Sequence, residues 1–306
     1  MLILGKVEFT KPAGVVAIPG DLTLGDGIIF IDIQILAAEQ IADTSSVTIT
    51  NFARLYLSEQ NETIGALSGD GELRFDQVPP SAQEGGLASN PGPNTFTIAG
   101  SSNTLFDGDI TGDDTTDTLV KDGTGKLVLN GPQLYFSKTI VRNGTLKIVH
   151  AGALGDPAGS GTEVEVNGTL ALQGGVTVST EYLVLAGTLL NNGGFTAWRG
   201  DITLIGAAKI GTGGNGDKLE ISSFIDGAGG VTIGNGTGTL LFNGGLNNTY
   251  TGETIVNSGT LELSTSSNTN LIPGKLTIGN GTSAAAVTLF NSSLIIDTSA
   301  VTINAN

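Results

Sequence analysis

Apolar residues along this chain come in short alternating runs rather than in the three-and-four spacing of a helix face. Residues 47–52 (VTITNF) and 53–59 (ARLYLSE) alternate in the way that gives a strand one buried and one wet side. The same pattern predicts strands at 2–9, 15–18, 22–24, 28–35, 47–49, 53–57, 64–67 and 73–75, with Gly-Asp turns at 20–21, 25–26 and 69–70. Helix is nearly absent. The best helical stretch, 35–42 (ILAAEQIA), spans about two turns and reads almost as well as a strand continuing from Ile28 to Ile31.

The strand pattern is written twice in closely matching form, at 121–148 and at 236–263. Each copy runs from a Gly-led strand (Leu127 and Leu129; Leu240 and Phe242) through Asn-Gly to a turn carrying Tyr135 or Tyr250. A second strand follows, Thr139-Ile140-Val141 or Thr254-Ile255-Val256, and each copy closes on Gly-Thr-Leu at Gly144 or Gly259. Gly-Thr-Leu recurs at 144, 168, 187, 238 and 259, with Gly-Lys-Leu at 125. A period near twenty residues with strands in each unit predicts a solenoid, in which no rung buries its apolar side alone. Applied to the whole chain it predicts one continuous solenoid over 1–306, of about 12–15 rungs at the spacing of neighbouring strands. The 51-residue gap between Gly187 and Gly238 is read as two rungs with an insertion.

Residue chemistry agrees. Asn-Gly occurs at 130, 143, 167, 235, 243 and 280, and both residues accept the positive φ of a tight corner. Thr, Val and Ile suit a pleated surface on which each side chain stacks on its like in the next rung. The scarcity of aromatics is read as a narrow core filled by aliphatic ladders. Residues 79–94 (PPSAQEGGLASNPGPN) break the pattern with four of the nine prolines, and predict a loop excursion that exposes a cleavage or contact surface.

Composition narrows the chemistry. The 306 residues include 47 Gly but no Cys, one His and one Trp, so disulfides, thiolate catalysis and Cys-ligated metals are excluded. The net charge of −16 is carried mostly by residues 1–120, with 17 acids and 4 bases against 12 and 9 in the rest. Nucleic acid and anionic membranes are therefore not expected partners. No apolar run is long enough to cross a membrane as a helix, and residues 1–9 do not read as a signal peptide.

The run Leu119-Val120-Lys121-x-Gly123-x-Gly125-x-Leu127-x-Leu129-x-Gly131, followed by Thr139-Ile140-Val141-x-x-Gly144-Thr145-Leu146, resembles the autotransporter-associated β-strand repeat of Gram-negative passenger domains. In the second copy Asn248-Thr249-Tyr250-Thr251-Gly252 matches that family's turn, where the first copy has Tyr135-Phe136-Ser137. With its flanking context the resemblance extends over roughly 63–263. It implies an all-β, right-handed parallel β-helix displayed outside a Gram-negative-type cell or released from it.

Candidate sites are few. Asp107, Asp109, Thr111 and Asp113, with Gly112, have the spacing of half a calcium loop, but position 12 is Thr118 rather than a carboxylate. A solvated acidic turn over 107–117 is the expectation. Gly213 to Asp217 reads as a turn for the same reason of spacing. The single His150 has no framed serine nucleophile, and Asp113-Asp114 has no basic neighbour before Lys121, so no catalytic, cofactor or metal residue is assigned. Gly234-Asn-Gly236-Thr-Gly238 is read as turn glycine. Arg199-Gly200-Asp201, beside Trp198, reads as another habitual Gly-Asp turn, and the Asn-x-Thr sequons at Asn143, Asn167 and Asn235 as by-products of Asn-Gly-Thr corners. Neither end shows a capping helix, which predicts either a segment of a longer rod or an end that stacks on another copy. The expected function is a non-enzymatic extracellular scaffold or adhesion segment, its partners cell-surface ligands or itself. The alternatives are a filament subunit and a carbohydrate-binding or polysaccharide-degrading β-helix.

Overall fold

The computed structural model describes residues 5–76, 93–266 and 269–304. Most of the excursion expected at 79–94 lies outside the described residues. The described elements are all β-strands, and the recorded pairings are parallel. A parallel neighbour cannot be reached by a hairpin, so the chain must travel round before it meets itself. Here it does so through short strands on other faces. The coils form two compact units, residues Met1–Leu146 with Gly152–Gly161, and Lys147–Ala151 with Thr162–Asn306.

In the first unit one face is a 6-stranded ladder, Gly5–Phe9, Ile31–Ile35, Ala53–Tyr56, Glu72–Arg74, Asp109–Gly112 and Leu134–Tyr135. A second face stacks Leu22–Leu24, Ser46–Ile49, Ala66–Gly69, Thr104–Phe106 and Lys126–Leu129. A third begins at Glu62–Ile64 and continues through Thr95–Ile98 and Thr118–Lys121 to the start of Lys138–Ile148. Three faces per coil set the spacing: hydrogen bonds between successive coils commonly link residues 23 apart.

The second unit repeats the plan. Its 6-stranded ladder is Thr177–Val178, Phe195–Trp198, Lys218–Ile221, Thr239–Phe242, Gly259–Leu263 and Ala285–Leu289. Another face runs from Thr162–Gln173 through Thr188–Asn192, Ala207–Gly213, Gly230–Gly236, Thr254–Val256 and Leu276–Ile278 to Val301–Ile303.

Alternation decides what is buried. Leu189, Ile210, Ile233 and Val256 pair in register through four coils and are 0–1% exposed. Each such side chain contributes about 1.5–3 kcal/mol by leaving water, which no single coil could achieve without its neighbours. The expectation of a purely aliphatic core is wrong. Trp198, Tyr56, Tyr135, Tyr250, Phe75, Phe96, Phe106 and Phe242 are among the largest fully buried side chains. Aromatics are few, but those present fill the interior, because a three-sided coil is wide enough to take a ring.

Three further expectations change. Residues 15–18 form only an isolated bridge, Ile18 to Ile41, and 28–35 contracts to Ile31–Ile35 with no helix after it. The Gly-Thr-Leu tripeptides are not equivalent. Thr169 and Thr188 pair with each other on one face, whereas Thr239 and Thr260 belong to another, so the 51-residue gap is no multiple of a rung. The tripeptide marks a corner, and each coil has several. Nor does every Asn-Gly carry positive φ at its glycine: Gly144 does (68°), Gly131 and Gly244 do not, and at Asn235-Gly236 the asparagine takes it (56°).

Candidate functional site

Both copies of the repeat contain the same internal lock. The Tyr135 hydroxyl lies 2.6 Å from Thr139 Oγ1, and the Tyr250 hydroxyl 2.6 Å from Thr254 Oγ1, all within the buried interior. A buried phenol needs a partner for its hydroxyl. The threonine that opens the next strand supplies one, and burial drives the Tyr250 pKa upward. The two tyrosines thereby fasten the turn to the strand that follows, and neither is available for chemistry.

The corners of the two copies differ. In the first, Lys121 lies in the inward row between Ile98 and Val141 and is 2% exposed. Its ammonium donates to the carbonyls of Asp122 and Gly123 at 2.9 Å, and to that of Asn143 at 3.4 Å. Burial lowers its pKa to about 8. Just past it, the Asp122 carboxylate accepts from Asn143 Nδ2 at 2.5 Å and meets Arg142 at 3.5 Å. The side chains of Lys121, Asp122, Arg142 and Asn143 are thus engaged within that corner.

In the second copy the inward residue is Ile233, paired with Ile210 and Val256, and the residue past it is Gly234. The two copies are thus offset by one residue in their stacking: Thr139 pairs with Leu119, but Thr254 pairs with Val231. Gly234 occupies the place of Asp122, and Asn257 and Ser258 those of Arg142 and Asn143. With no carboxylate to fill it, the corner opens into a groove of about 400 Å³. Lys209, Thr232, Asn235, Asn257 and Ser258 line it, together with Gly234.

A second cavity, about 410 Å³ in the first unit, is acidic, with Glu59, Asp76, Asp113, Asp114 and Asp117 on its walls. Asp117 is 1% exposed and accepts both the backbone N–H and Nδ2 of Asn94 on one oxygen, at 2.9 and 3.0 Å. Burial raises its pKa to about 6. Glu62, fully buried, accepts the backbone N–H groups of Gln40 and Ile41 at 2.8 and 2.9 Å, and burial lifts it to about 7.

The residues with calcium-loop spacing are separated by this arrangement. Asp109–Gly112 is a strand; Asp107 accepts from Asn130, and the Thr111 hydroxyl donates to Glu72. Among the described residues no group of three His, Asp or Glu is placed to hold a metal ion. Asp217 closes its own turn by accepting from Gly214 N at 2.6 Å, and ties it to the neighbouring coil by accepting from Gly194 N at 2.5 Å. Around Arg199-Gly200-Asp201, Trp198 is fully buried, Arg199 meets Glu220 at 3.6 Å, and Asp201 accepts from Phe224 N at 3.3 Å. His150 is exposed in the turn after Lys138–Ile148. The groove at Gly234 escaped the sequence reading, which took Gly234 to Gly238 as turn glycine. The available signal was the contrast between charged residues at the first corner and Gly, Asn and Ser at the second.

A family match to known proteins falls on these repeats. Residues 119–148 and 228–263 match the passenger-associated-transport-repeat family. Over 179 residues the chain is 31% identical to the adhesin BmaC autotransporter of Brucella suis biovar 1, a stretch that covers 58% of this chain and 5% of that protein. No solved structure matches. The chain is an all-β parallel solenoid segment that carries two repeats of the autotransporter passenger type.

Proposed function

We propose that the chain is a non-enzymatic, surface-displayed segment that serves as scaffold and adhesive surface outside a Gram-negative-type cell. The observation that carries this reading is how fully the solenoid spends its chemistry on stacking. The Tyr135–Thr139 and Tyr250–Thr254 locks, the Lys121 corner and the buried carboxylates all bond within the fold. What remains for recognition is the outer surface of the coils. The similarity to a protein named an adhesin supports the same reading, although the chain spans only about a twentieth of that protein's length. The test is adhesion of beads coated with the purified chain to eukaryotic cell layers, against beads coated with an unrelated protein of equal net charge. Greater retention of the first is expected; equal retention would overturn the adhesive role.

A further inference from the structure

The groove beside Gly234 runs across successive coils of one face. Lys209 pairs in register with Thr232 and Gly211 with Gly234, and Ile233 pairs with Val256 just before Asn257 and Ser258. At several other places on the outside of the solenoid polar side chains bond from coil to coil, as Thr48 to Ser68, Asn130 to Asp107, Asn143 to Asp122 and Thr203 to Asp226. The side chains of Lys209, Thr232, Asn235, Asn257 and Ser258 make no such bond. They line one cavity whose volume lies within the ordinary range of small-ligand sites.

The lining defines the chemistry of a ligand. Amides and hydroxyls both donate and accept, which is the complement of a sugar ring's hydroxyls and N-acetyl groups. The groove has one cation, Lys209, and no carboxylate, so it favours a ligand that is neutral or carries an occasional acid. A polyphosphate or nucleic acid would meet a single ammonium on a chain of net charge −16. A peptide adding itself as a strand needs a free edge, whereas the strand Gly230–Gly236 is already paired on both sides. The coils recur at about 4.8 Å, close to the length of one ring in an extended sugar chain, so equivalent groups on adjacent coils meet adjacent rings.

We propose that this groove binds an extended oligosaccharide. Asn235, Asn257, Ser258 and Thr232 bond its hydroxyl and N-acetyl groups, and Lys209 faces a uronate carboxylate where one is present. The left-handed backbone of Asn235 aims its side chain from the corner, and the missing side chain at Gly234 makes the room. The inference deepens the adhesive reading by naming the ligand class, and it is tested on the purified chain alone.

Saturation-transfer NMR with chitohexaose, cellohexaose and a hyaluronan hexasaccharide is the measurement. Transfer to at least one is expected, and Lys209→Gln is expected to weaken transfer to hyaluronan and leave transfer to the two neutral sugars unchanged. Gly234→Asp restores the carboxylate of the first copy's corner at a site with ordinary φ, where an added Cβ lies 3.3 Å from Ser258 Oγ. It is expected to abolish transfer while leaving the melting temperature unchanged or raised. Asn257→Ala, and Asn235→Gly, which keeps the backbone conformation, are each expected to weaken binding by about fivefold, the worth of one hydrogen bond. Leu134→Ser, at an exposed residue of the other unit, is expected to change nothing. No transfer to any of the three sugars, or undiminished transfer in both Gly234→Asp and Asn257→Ala, would overturn the inference. Bead adhesion without sugar binding discards the groove alone, and sugar binding without adhesion discards the adhesive role alone.

Discussion

The hydroxyl of Tyr250 stands 2.6 Å from Thr254 Oγ1, and Tyr135 repeats the distance to Thr139 in the other copy. Thr254 is 0% exposed, so its hydroxyl has no water to turn to when the phenol is removed. Tyr250→Phe is expected to cost about 1–3 kcal/mol, the desolvation cost of an orphaned buried group. Adding Thr254→Val removes the orphan, and the double variant is expected to lose less than the sum of the two singles. Urea denaturation of the four proteins of the cycle measures the coupling.

Asp117 predicts a pH dependence. Its carboxyl titrates near 6 when folded against the ordinary 3.8, so the folded state holds the proton more tightly than the unfolded chain. Stability contributed by this group is therefore greatest below about pH 4 and falls as pH rises from about 4 to 6, then levels. One oxygen accepts both Asn94 donors, an arrangement that the carbonyl of Asn reproduces without charge. Asp117→Asn is expected to stabilise the protein by about 1–3 kcal/mol at pH 8 and to have little effect at pH 4. Chemical denaturation at the two pH values checks it.

Lys121 predicts loss of a corner. Truncation to Ala removes the ammonium from the carbonyls of Asp122, Gly123 and Asn143 and leaves a hole between Ile98 and Val141. A loss of about 2–4 kcal/mol is expected, from the orphaned carbonyls and the cavity together. Lys121→Met refills the volume and is expected to recover part of it. Thermal melts of the two variants rank them.

The glycines at Gly144 and Gly131 predict opposite tolerance. Gly144 has φ 68°, and a Cβ there would lie 2.4 Å from the Gly123 carbonyl oxygen; at Gly131 the nearest atom would be 4.0 Å away and φ is ordinary. Gly144→Ala is expected to cost about 1–3 kcal/mol or more, and Gly131→Ala to change stability by less than about 1 kcal/mol. Their denaturant midpoints give the comparison.

Strand identity was legible because alternation is a local property: VTIT at 47–50 and KLVL at 126–129 have only one way to put their apolar residues on one side. The second copy's Tyr250 and Thr254 were visible as a pattern too, though not as a bond, since the spacing of four residues says nothing of a turn's path. Corners were harder to read. Whether Asn235 or Gly236 takes the positive φ depends on the register against the coil beneath, which one chain segment does not contain. The groove was invisible for a related reason. Gly234 is unremarkable as a turn residue, and becomes a gap only when Asn257 and Ser258 are stacked on it.

The two corners differ in their side chains, Lys121, Asp122 and Arg142 at the first against Ile233, Gly234 and Asn257 at the second, and by one residue in their stacking. In a fold assembled from interchangeable joints, exchanging the few side chains of one corner converts a sealed seam into a socket while the strands on either side stay paired. Divergence among copies is then a supply of new recognition surfaces, drawn from positions whose only previous duty was to fill space.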